Sequence, residues 1–290
     1  MIPSGFDYHA PATLPEAIAL LREHRDAAKV LSGGQSLLPL LKLRLGSAAH
    51  LVDIGRIPGL EYIREERGTL RIGACTRESA LERSELLRDR YPVLHDTARV
   101  IADPIVRNRA TLGGNLAHGD PGNDHPATMM ALGAEVVAVG PEGERAIPVD
   151  RFFVNLFTTA LRPDEIVTEI RIPAPPPRSG GAYQKLERKV GDYATAAAAA
   201  QVTLGASGAI ERAGLALTNV GKTPIRASAA EAYLRGRAPD AATLAEAARL
   251  AAQAASPTAD RRGAVDYKRE MARVMAARAL ARAVERARRS

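Results

Sequence analysis

Cysteine and long apolar runs are almost absent from this sequence of 290 residues. Cys75 is its single cysteine, which excludes a framework of intrachain disulfides. No apolar run approaches the ~18 residues that a membrane-spanning helix needs. The first residues, MIPSGFDYHAPATLPEA, have neither the basic region nor the apolar region of a signal peptide. We therefore expect a cytoplasmic protein without a membrane span.

Positive charge is in excess, with a formal net charge of +7. The basic residues are scattered, except in the final segment RALARAVERARRS, which has the pattern of a helix with alanines inside and arginines outside. The sequence contains no basic stripe interleaved with aromatic residues, no RNP motif and no zinc-finger spacing. We therefore expect no nucleic-acid partner, and we interpret the final segment as a solvated or partner-facing helix.

Hydrophobic periodicity and turn signals predict an α+β protein. A capping box opens a helix expected over residues 13–24. Strand patterns follow in KVLSGG and HLVDIGRI, and LEYIREERGTLRIGACT alternates on both sides of a turn, as a hairpin does. Helices are expected near residues 77–89 and 91–102, followed by a polar, glycine-rich loop over residues 107–124.

The segment PAPPPRSGG is the best candidate for a domain boundary because it is rich in proline and glycine. It follows a second hairpin, AEVVAVGPEGERAIPV, and a strand, EIVTEIRIP. Beyond it, AYQKLERK, TAAAAAQVTLGA and AIERAGLALTNV predict three strands of a sheet, and three helices are expected to follow. The predicted domains are residues 1–176 and 177–290.

Two glycine pairs, in LSGGQSL and TLGGNL, lie about eighty residues apart. Glycine lacks a Cβ, so backbone N–H groups can converge there on a ligand and form a nest for a phosphate. Gln35, Ser36, Thr111 and Asn115 add side-chain donors. Two nests would suit a dinucleotide pyrophosphate. The alternative is two tight turns, since neither pair matches a Walker A loop or a Rossmann fingerprint.

The segment HGDPGNDH offers a different interpretation, because His118, Asp120, Asp124 and His125 are all potential metal ligands. No helix places them on one face, and short turns of this composition usually serve the backbone alone. Cys75 lies in a predicted strand, where a small core residue is the expected role rather than a nucleophile. The sequence therefore predicts no metal ligand and no catalytic residue.

Four segments, LSGGQSLLPLLKLRL, RIGACT, ATLGGNLAHGDPGNDHPA and QKLERKVGDYATAA, occur in the order and spacing of a known family. The chain resembles the FAD-binding medium subunits of the molybdenum hydroxylases, a family that includes the carbon monoxide and xanthine dehydrogenases. The resemblance covers essentially the whole chain. It implies an oxidoreductase subunit with a two-part FAD-binding domain of the PCMH type, followed by a smaller C-terminal domain of a sheet and helices.

The resemblance also implies which residues bind the pyrophosphate of FAD. The two glycine motifs would enclose it, with Leu31, Ser32, Gly33, Gly34, Gln35, Ser36 and Leu37 on one side and Thr111, Gly113, Gly114 and Asn115 on the other.

Other parts of the cofactor would be met by residues outside the glycine motifs. Asp124 matches a carboxylate that fixes the sugar–adenine portion, and Ile101 and Val167 match apolar positions that line the cofactor. Lys185 matches a basic residue near the isoalloxazine ring, where a fixed positive charge would favour an anionic reduced flavin.

A final element of the implied site is a loop beside the reactive face of the ring. Asp192 and Tyr193 match this loop. Without the resemblance, Tyr193 would be interpreted as a half-buried aromatic residue at the start of a strand.

The resemblance finally implies partners. Iron–sulfur clusters need about four ligands each, mostly cysteine, and this chain has one. The clusters would belong to a small subunit and the molybdenum cofactor to a large subunit, and FAD would pass electrons to an external acceptor. A free-standing FAD-dependent oxidoreductase and a non-catalytic nucleotide-binding module remain alternatives.

Overall fold

A computed structural model of the chain describes residues 2–290. Strands and helices alternate irregularly along the chain. The strands are β1 (Asp7–His9), β2 (Ala28–Leu31), β3 (His50–Asp53), β4 (Ile63–Glu66), β5 (Thr69–Gly73), β6 (Glu135–Gly140), β7 (Gly143–Pro148), β8 (Phe153–Asn155), β9 (Thr158–Thr159), β10 (Ile166–Pro173), β11 (Ser179–Leu186), β12 (Ala196–Leu204), β13 (Ile210–Thr218) and β14 (Ile225–Arg226).

The helices include several short ones around the glycine motifs. They are α1 (Leu14–His24), α2 (Leu37–Lys42), α3 (Glu78–Arg83), α4 (Glu85–Arg90), α5 (Pro92–Val100), α6 (Pro104–Arg107), α7 (Leu112–Ala117), α8 (His125–Leu132), α9 (Ser228–Leu234), α10 (Ala241–Ala254) and α11 (Val265–Ala287). Among residues 2–290, no helix combines the length and the apolar character needed to cross a membrane.

The N-terminal region contains a small parallel sheet and a larger antiparallel one. The small sheet has the order β1-β3-β2, and α1 packs on it through Ala17, Ile18 and Leu21. The capping box predicted for α1 is present, because the Thr13 hydroxyl accepts the N–H of Glu16. The larger sheet has the order β4-β5-β10-β6-β7 and contains both predicted hairpins.

The C-terminal region is a four-stranded antiparallel sheet, β11-β12-β13-β14, which contains the three predicted strands and the short additional strand β14, and three helices follow it as predicted. Its alanine run forms β12, not a helix, and five consecutive alanines, residues 196–200, are completely buried. Ala197 and Ala199 face the main core of the N-terminal region, whereas Ala196, Ala198 and Ala200 face α10 and α11. Strand β12 is therefore covered on both faces.

The arginine-rich helix α11 has the predicted pattern of buried alanines and exposed arginines. Many of its arginines are neutralised locally. Arg273 pairs with Glu270, Arg282 with Glu285, and Arg286 with Asp96 of α5. The final segment is thus a helix whose arginines are partly paired, and it keeps an excess of positive charge because Glu285 serves both Arg282 and Arg289.

Two local predictions are wrong. The helix expected over residues 77–89 is two shorter helices, α3 and α4, because Ser84 ends the first and its hydroxyl caps the second by accepting the N–H of Leu87 at 3.3 Å. The loop expected over residues 107–124 contains α7, which begins where the Thr111 hydroxyl caps the N–H of Gly114.

Candidate functional site

The first glycine pair lies in the connection between β2 and α2. Gly34 has a φ of +75°, a left-handed conformation that glycine adopts without strain. Within residues 2–290, the N–H groups of Gly33, Gly34, Gln35 and Ser36 donate to no backbone or side-chain acceptor. Successive free N–H groups in such a turn form a nest for an anion. This loop therefore has the chemistry predicted for a phosphate site.

The second glycine pair is not a second nest of this kind. It lies in the first turn of α7, and the four N–H groups after Thr111 all have acceptors on the chain. Leu112 donates to the Thr76 carbonyl at 3.0 Å, Gly113 to the Ala74 carbonyl at 2.9 Å, Gly114 to the Thr111 hydroxyl at 3.3 Å, and Asn115 to the Thr111 carbonyl at 2.9 Å. The expectation of two equivalent nests is wrong because the second segment is helical and capped.

Close approach of chain segments explains two of the four glycines. A Cβ at Gly33 would overlap the carbonyl oxygen of Arg109, and a Cβ at Gly113 would lie 2.5 Å from that of Ala74. Gly114 differs, since a Cβ there would meet only side-chain atoms, the Thr111 Oγ1 at 2.8 Å and the Ser32 Cβ at 3.9 Å. Gly33 thus lets the first motif approach the segment before the second, Gly113 lets α7 pack against Ala74, and Gly114 leaves room for the side chains of Thr111 and Ser32.

A hydroxyl network joins the two motifs. The Ser32 Oγ lies 2.9 Å from the Thr111 Oγ1 and 3.5 Å from the Cys75 Sγ. Cys75 is buried, as predicted for a core residue, and burial raises the pKa of its thiol. Its position directly beside residues 32–36, the implied cofactor loop, has no signal in the sequence, because it depends on the contact between residues 32 and 75.

Asn115 supplies a direct test of whether the site fits FAD. Its Oδ1 atom is buried and accepts no hydrogen bond within residues 2–290. A buried acceptor without a partner is costly to a protein, and a ligand rich in hydroxyl groups, such as FAD, offers donors for it. Together with the free N–H groups of residues 33–36, this atom makes the residues present suitable for the cofactor.

A second polar group is centred on Asp124. It adjoins the second glycine motif through the preceding residue, Asn123, whose side chain donates to the Asn115 carbonyl at 2.8 Å. The Lys185 Nζ lies 2.9 Å from the Asp124 Oδ2 and 3.4 Å from the Glu187 Oε2. The Tyr183 hydroxyl donates to the Asp124 Oδ1 at 2.6 Å.

The electrostatics of this group are dominated by burial. Burial raises the pKa of the Asp124 carboxyl more than the Lys185 ammonium and the Tyr183 hydroxyl lower it. Burial, with the neighbouring Asp124, also raises the pKa of Tyr183 well above its ordinary value. Two carboxylates accompany the Lys185 ammonium group, so the charge expected there is partly balanced within the chain.

The apolar residues of the implied site lie on different elements. Ile101 is buried directly after α5, next to Val100, whose carbonyl accepts from the Lys185 ammonium at 3.0 Å. Val167 is buried in β10 and belongs to the main core. Ile101 thus adjoins the Asp124 group, whereas Val167 shares the main core with Leu112 of the second glycine motif.

Ion pairs fix the loop that contains Asp192 and Tyr193. The Asp192 carboxylate lies 2.9 Å from Arg262 and 3.1 Å from Arg188, and the two guanidinium groups lower the pKa of Asp192 to about 2, with Arg262 contributing most. The Tyr193 side chain is 45% exposed, and its ring lies against Gly122 in the loop before α8. Arg262 was not predicted, since its contact crosses 70 residues of sequence.

The segment HGDPGNDH contains the four potential metal ligands considered above. Its four side chains have separate partners rather than a common centre. His118 packs against Phe157, Asp120 accepts from the N–H of Gly122, Asp124 pairs with Lys185, and the His125 Nε2 lies 2.7 Å from the Glu78 Oε2.

Tyr193→Ala tests whether this tyrosine covers the flavin. Since half of the ring is exposed, the substitution should leave the melting temperature nearly unchanged but alter flavin fluorescence and the flavin reduction potential. Tyr267→Ala is the matched control, because Tyr267 is 47% exposed on α11. A large loss of stability with an unaltered flavin would instead assign Tyr193 to the core.

Known proteins resemble the chain over almost its full length. Residues 4–175 match the family model described as the FAD binding domain in molybdopterin dehydrogenase, and residues 181–283 match the CO dehydrogenase flavoprotein C-terminal domain. The carbon monoxide dehydrogenase medium chain of Hydrogenophaga pseudoflava is 47% identical over 281 residues, covering 97% of each chain. The medium chain from Afipia carboxidovorans is 45% identical over 287 residues, covering 99% of each.

A solved structure shows the same fold. It is that of the carbon monoxide dehydrogenase from Hydrogenophaga pseudoflava which lacks the Mo-pyranopterin moiety of the molybdenum cofactor. The TM-score is 0.96 at 48% sequence identity, over 99% of each chain.

Proposed function

Because the chain belongs to the family of FAD-binding medium subunits of molybdenum hydroxylases, we propose that it carries electrons from an iron–sulfur subunit to an external acceptor. When bound, FAD supplies the redox chemistry, since a flavin can take up two electrons and pass them on. The chain supplies the binding site and the surroundings of the ring. The physiological substrate would be oxidised on a large, molybdenum-containing subunit.

The observation that carries this proposal is the chain's single cysteine. Cys75 is buried beside Ser32, so it is a neighbour of the cofactor loop rather than one of four cluster ligands. A flavin subunit of this composition needs an electron donor in another chain. The names of its relatives, medium chains of carbon monoxide dehydrogenases, are consistent with that arrangement.

Different residues of the chain would bind different parts of FAD. The free N–H groups of residues 33–36 would bind the pyrophosphate, and the Asn115 Oδ1 would accept from a ligand hydroxyl. The Lys185–Asp124 pair supplies a buried polar group with no net charge of its own. The Asp192 loop, anchored by two arginines, would hold Tyr193 beside the ring.

Electron transfer from a partner can be tested by stopped-flow absorbance of the flavin. The FAD-loaded chain is mixed with small and large subunits whose clusters have been reduced chemically and freed of reductant. We expect rapid flavin reduction with the reduced partners and none with oxidised partners. An external acceptor added afterwards should reoxidise the flavin.

Stopped-flow absorbance also tests the alternative that the chain is a free-standing FAD-dependent oxidoreductase. The isolated FAD-loaded chain is mixed with carbon monoxide, the substrate indicated by the relatives' names, and with the substrate that reduces the complete complex. We expect no rapid flavin reduction in either mixture. Rapid reduction without partners would overturn the electron-transfer proposal in favour of a free-standing oxidoreductase.

A further inference from the structure

Three of the six histidines of the chain meet at one end of the small parallel sheet. His9 ends β1, His24 ends α1 and His50 begins β3. One ring nitrogen from each lies within 4.8 Å of the other two. We propose that this histidine cluster binds a divalent transition-metal ion, with Zn²⁺, Cu²⁺ and Ni²⁺ as the class of ion that imidazole ligands favour.

The fold brings the three side chains together from distant parts of the sequence. His50 shares a face of β3 with Val52, which packs in the same core as Ala17, Ile18 and Leu21 of α1. The C-terminal end of α1 therefore places the His24 ring over the His50 ring. Strand β1 pairs with β3 in parallel and contributes His9.

The distances suit coordination after small side-chain rotations. The His9 Nε2 lies 3.2 Å from the His50 Nδ1. Two imidazoles bound to one tetrahedral Zn²⁺ at ~2.0–2.1 Å would have nitrogens about 3.3 Å apart. The rings of His24 and His50 are stacked with centroids 3.7 Å apart, so His24 must turn toward the same centre. All three side chains are partly exposed, and an ion can reach them from solvent.

Nearby charges favour a cation at this place. The Asp7 Oδ2 lies 3.6 Å from the His50 Nδ1, and this exposed carboxylate can act as a fourth ligand or orient the imidazole. Helix α1 has 11 residues and ends at His24, so the negative end of its dipole points toward the cluster. The donor set would thus be three imidazoles with a carboxylate beside them.

The histidine cluster is separate from the FAD site. His50 pairs with Ala28 at the start of β2, whereas the cofactor loop follows Leu31 at the opposite end of that strand. A bound ion would join β1, β3 and α1, of which β1 otherwise pairs with β3 through the backbone and α1 packs on β3 through a small hydrophobic core. Its role would be structural, and metal binding would stabilise this part of the fold.

Isothermal titration of the full-length, FAD-loaded chain with ZnCl₂, after treatment with a chelator, tests the proposal. We expect one Zn²⁺ per chain, a higher melting temperature with Zn²⁺, and a loss of affinity of about tenfold or more in both His24→Gln and His50→Gln. His95→Gln is the matched control and should bind Zn²⁺ as the natural chain does. Circular dichroism and FAD content establish that each variant is folded.

Two results would overturn the proposal. One is the absence of Zn²⁺ uptake by the natural chain, and the other is unchanged affinity in either cluster variant. A variant that fails to fold is replaced by His9→Asn, whose side chain is partly exposed at the edge of the sheet. Nitrogen hyperfine splitting in the electron paramagnetic resonance spectrum of bound Cu²⁺ gives an independent count of the histidine ligands.

Discussion

Gly114→Val should leave the chain folded and remove most of its FAD. A Cβ at this position would lie 2.8 Å from the Thr111 Oγ1 and 3.9 Å from the Ser32 Cβ, with no backbone atom outside its own helix within 4 Å. Valine would therefore separate the two hydroxyl groups that join the glycine motifs. Moving Ser32 would also displace the free N–H groups of residues 33–36 that follow it. Hydrogen bonds to charged groups contribute ~1.5–3 kcal/mol each, so misplacing two of them should weaken FAD binding roughly a hundredfold or more.

Two further glycine variants show whether the effect is specific. Gly46→Val is the matched control, because a Cβ there meets no atom within 4 Å and FAD content should not change. Gly33→Val should prevent folding, because its Cβ would overlap the Arg109 carbonyl. FAD per chain is measured after acid release, with circular dichroism to report folding. Full FAD occupancy in folded Gly114→Val would exclude a cofactor from the space between the motifs.

Lys185→Met should lower the free energy of unfolding by about 3–5 kcal/mol, because it leaves the buried Asp124 carboxylate without its cation. Asn at position 124 retains an acceptor for the Tyr183 hydroxyl and removes the charge. The double variant Asp124→Asn, Lys185→Met should therefore recover part of the loss. Urea unfolding of the two single variants and the double variant measures the coupling between the two side chains.

The pH dependence of the same variant has a definite sign. The Asp124 carboxyl has a raised pKa in the folded chain, so the folded state binds its proton more readily than the unfolded state. The stability of Lys185→Met should thus fall as pH rises through the folded-state pKa. Arg282→Met, which removes an exposed pair with Glu285, is the control and should cost no more than ~1 kcal/mol. Equal losses in the two variants would contradict a stabilising buried pair.

Local sequence signals predicted most of the secondary structure and the correct family. Thr13 and Glu16 fixed the start of α1, and turns at glycines fixed both hairpins. The resemblance inferred from four short segments is confirmed by the family models that match residues 4–175 and 181–283. These signals succeeded because each depends on residues that are close together in the chain.

The features that were not predicted depend on residues that are far apart in the chain. The capped helix α7 was predicted as a loop because its glycines signal flexibility, whereas the contact of Gly113 with Ala74 decides its conformation. The pairing of Lys185 with Asp124 and the anchoring of Asp192 by Arg262 join residues 61 and 70 positions apart. The three histidines of the cluster have no spacing in the sequence that matches a metal-binding motif. Each of these features is set by tertiary packing, which no local pattern reports.

The alanines of β12 have a consequence for cooperativity. Ala197 and Ala199 complete a core built mainly from residues before the predicted boundary at 176, so the two halves of the chain share their interior. A fragment ending at residue 176 would expose to water the face of this core that Ala197 and Ala199 cover. Heating should therefore melt the chain in one transition, although its sequence divides into two family regions. In thermodynamic terms, we expect the protein to be a single unit of folding.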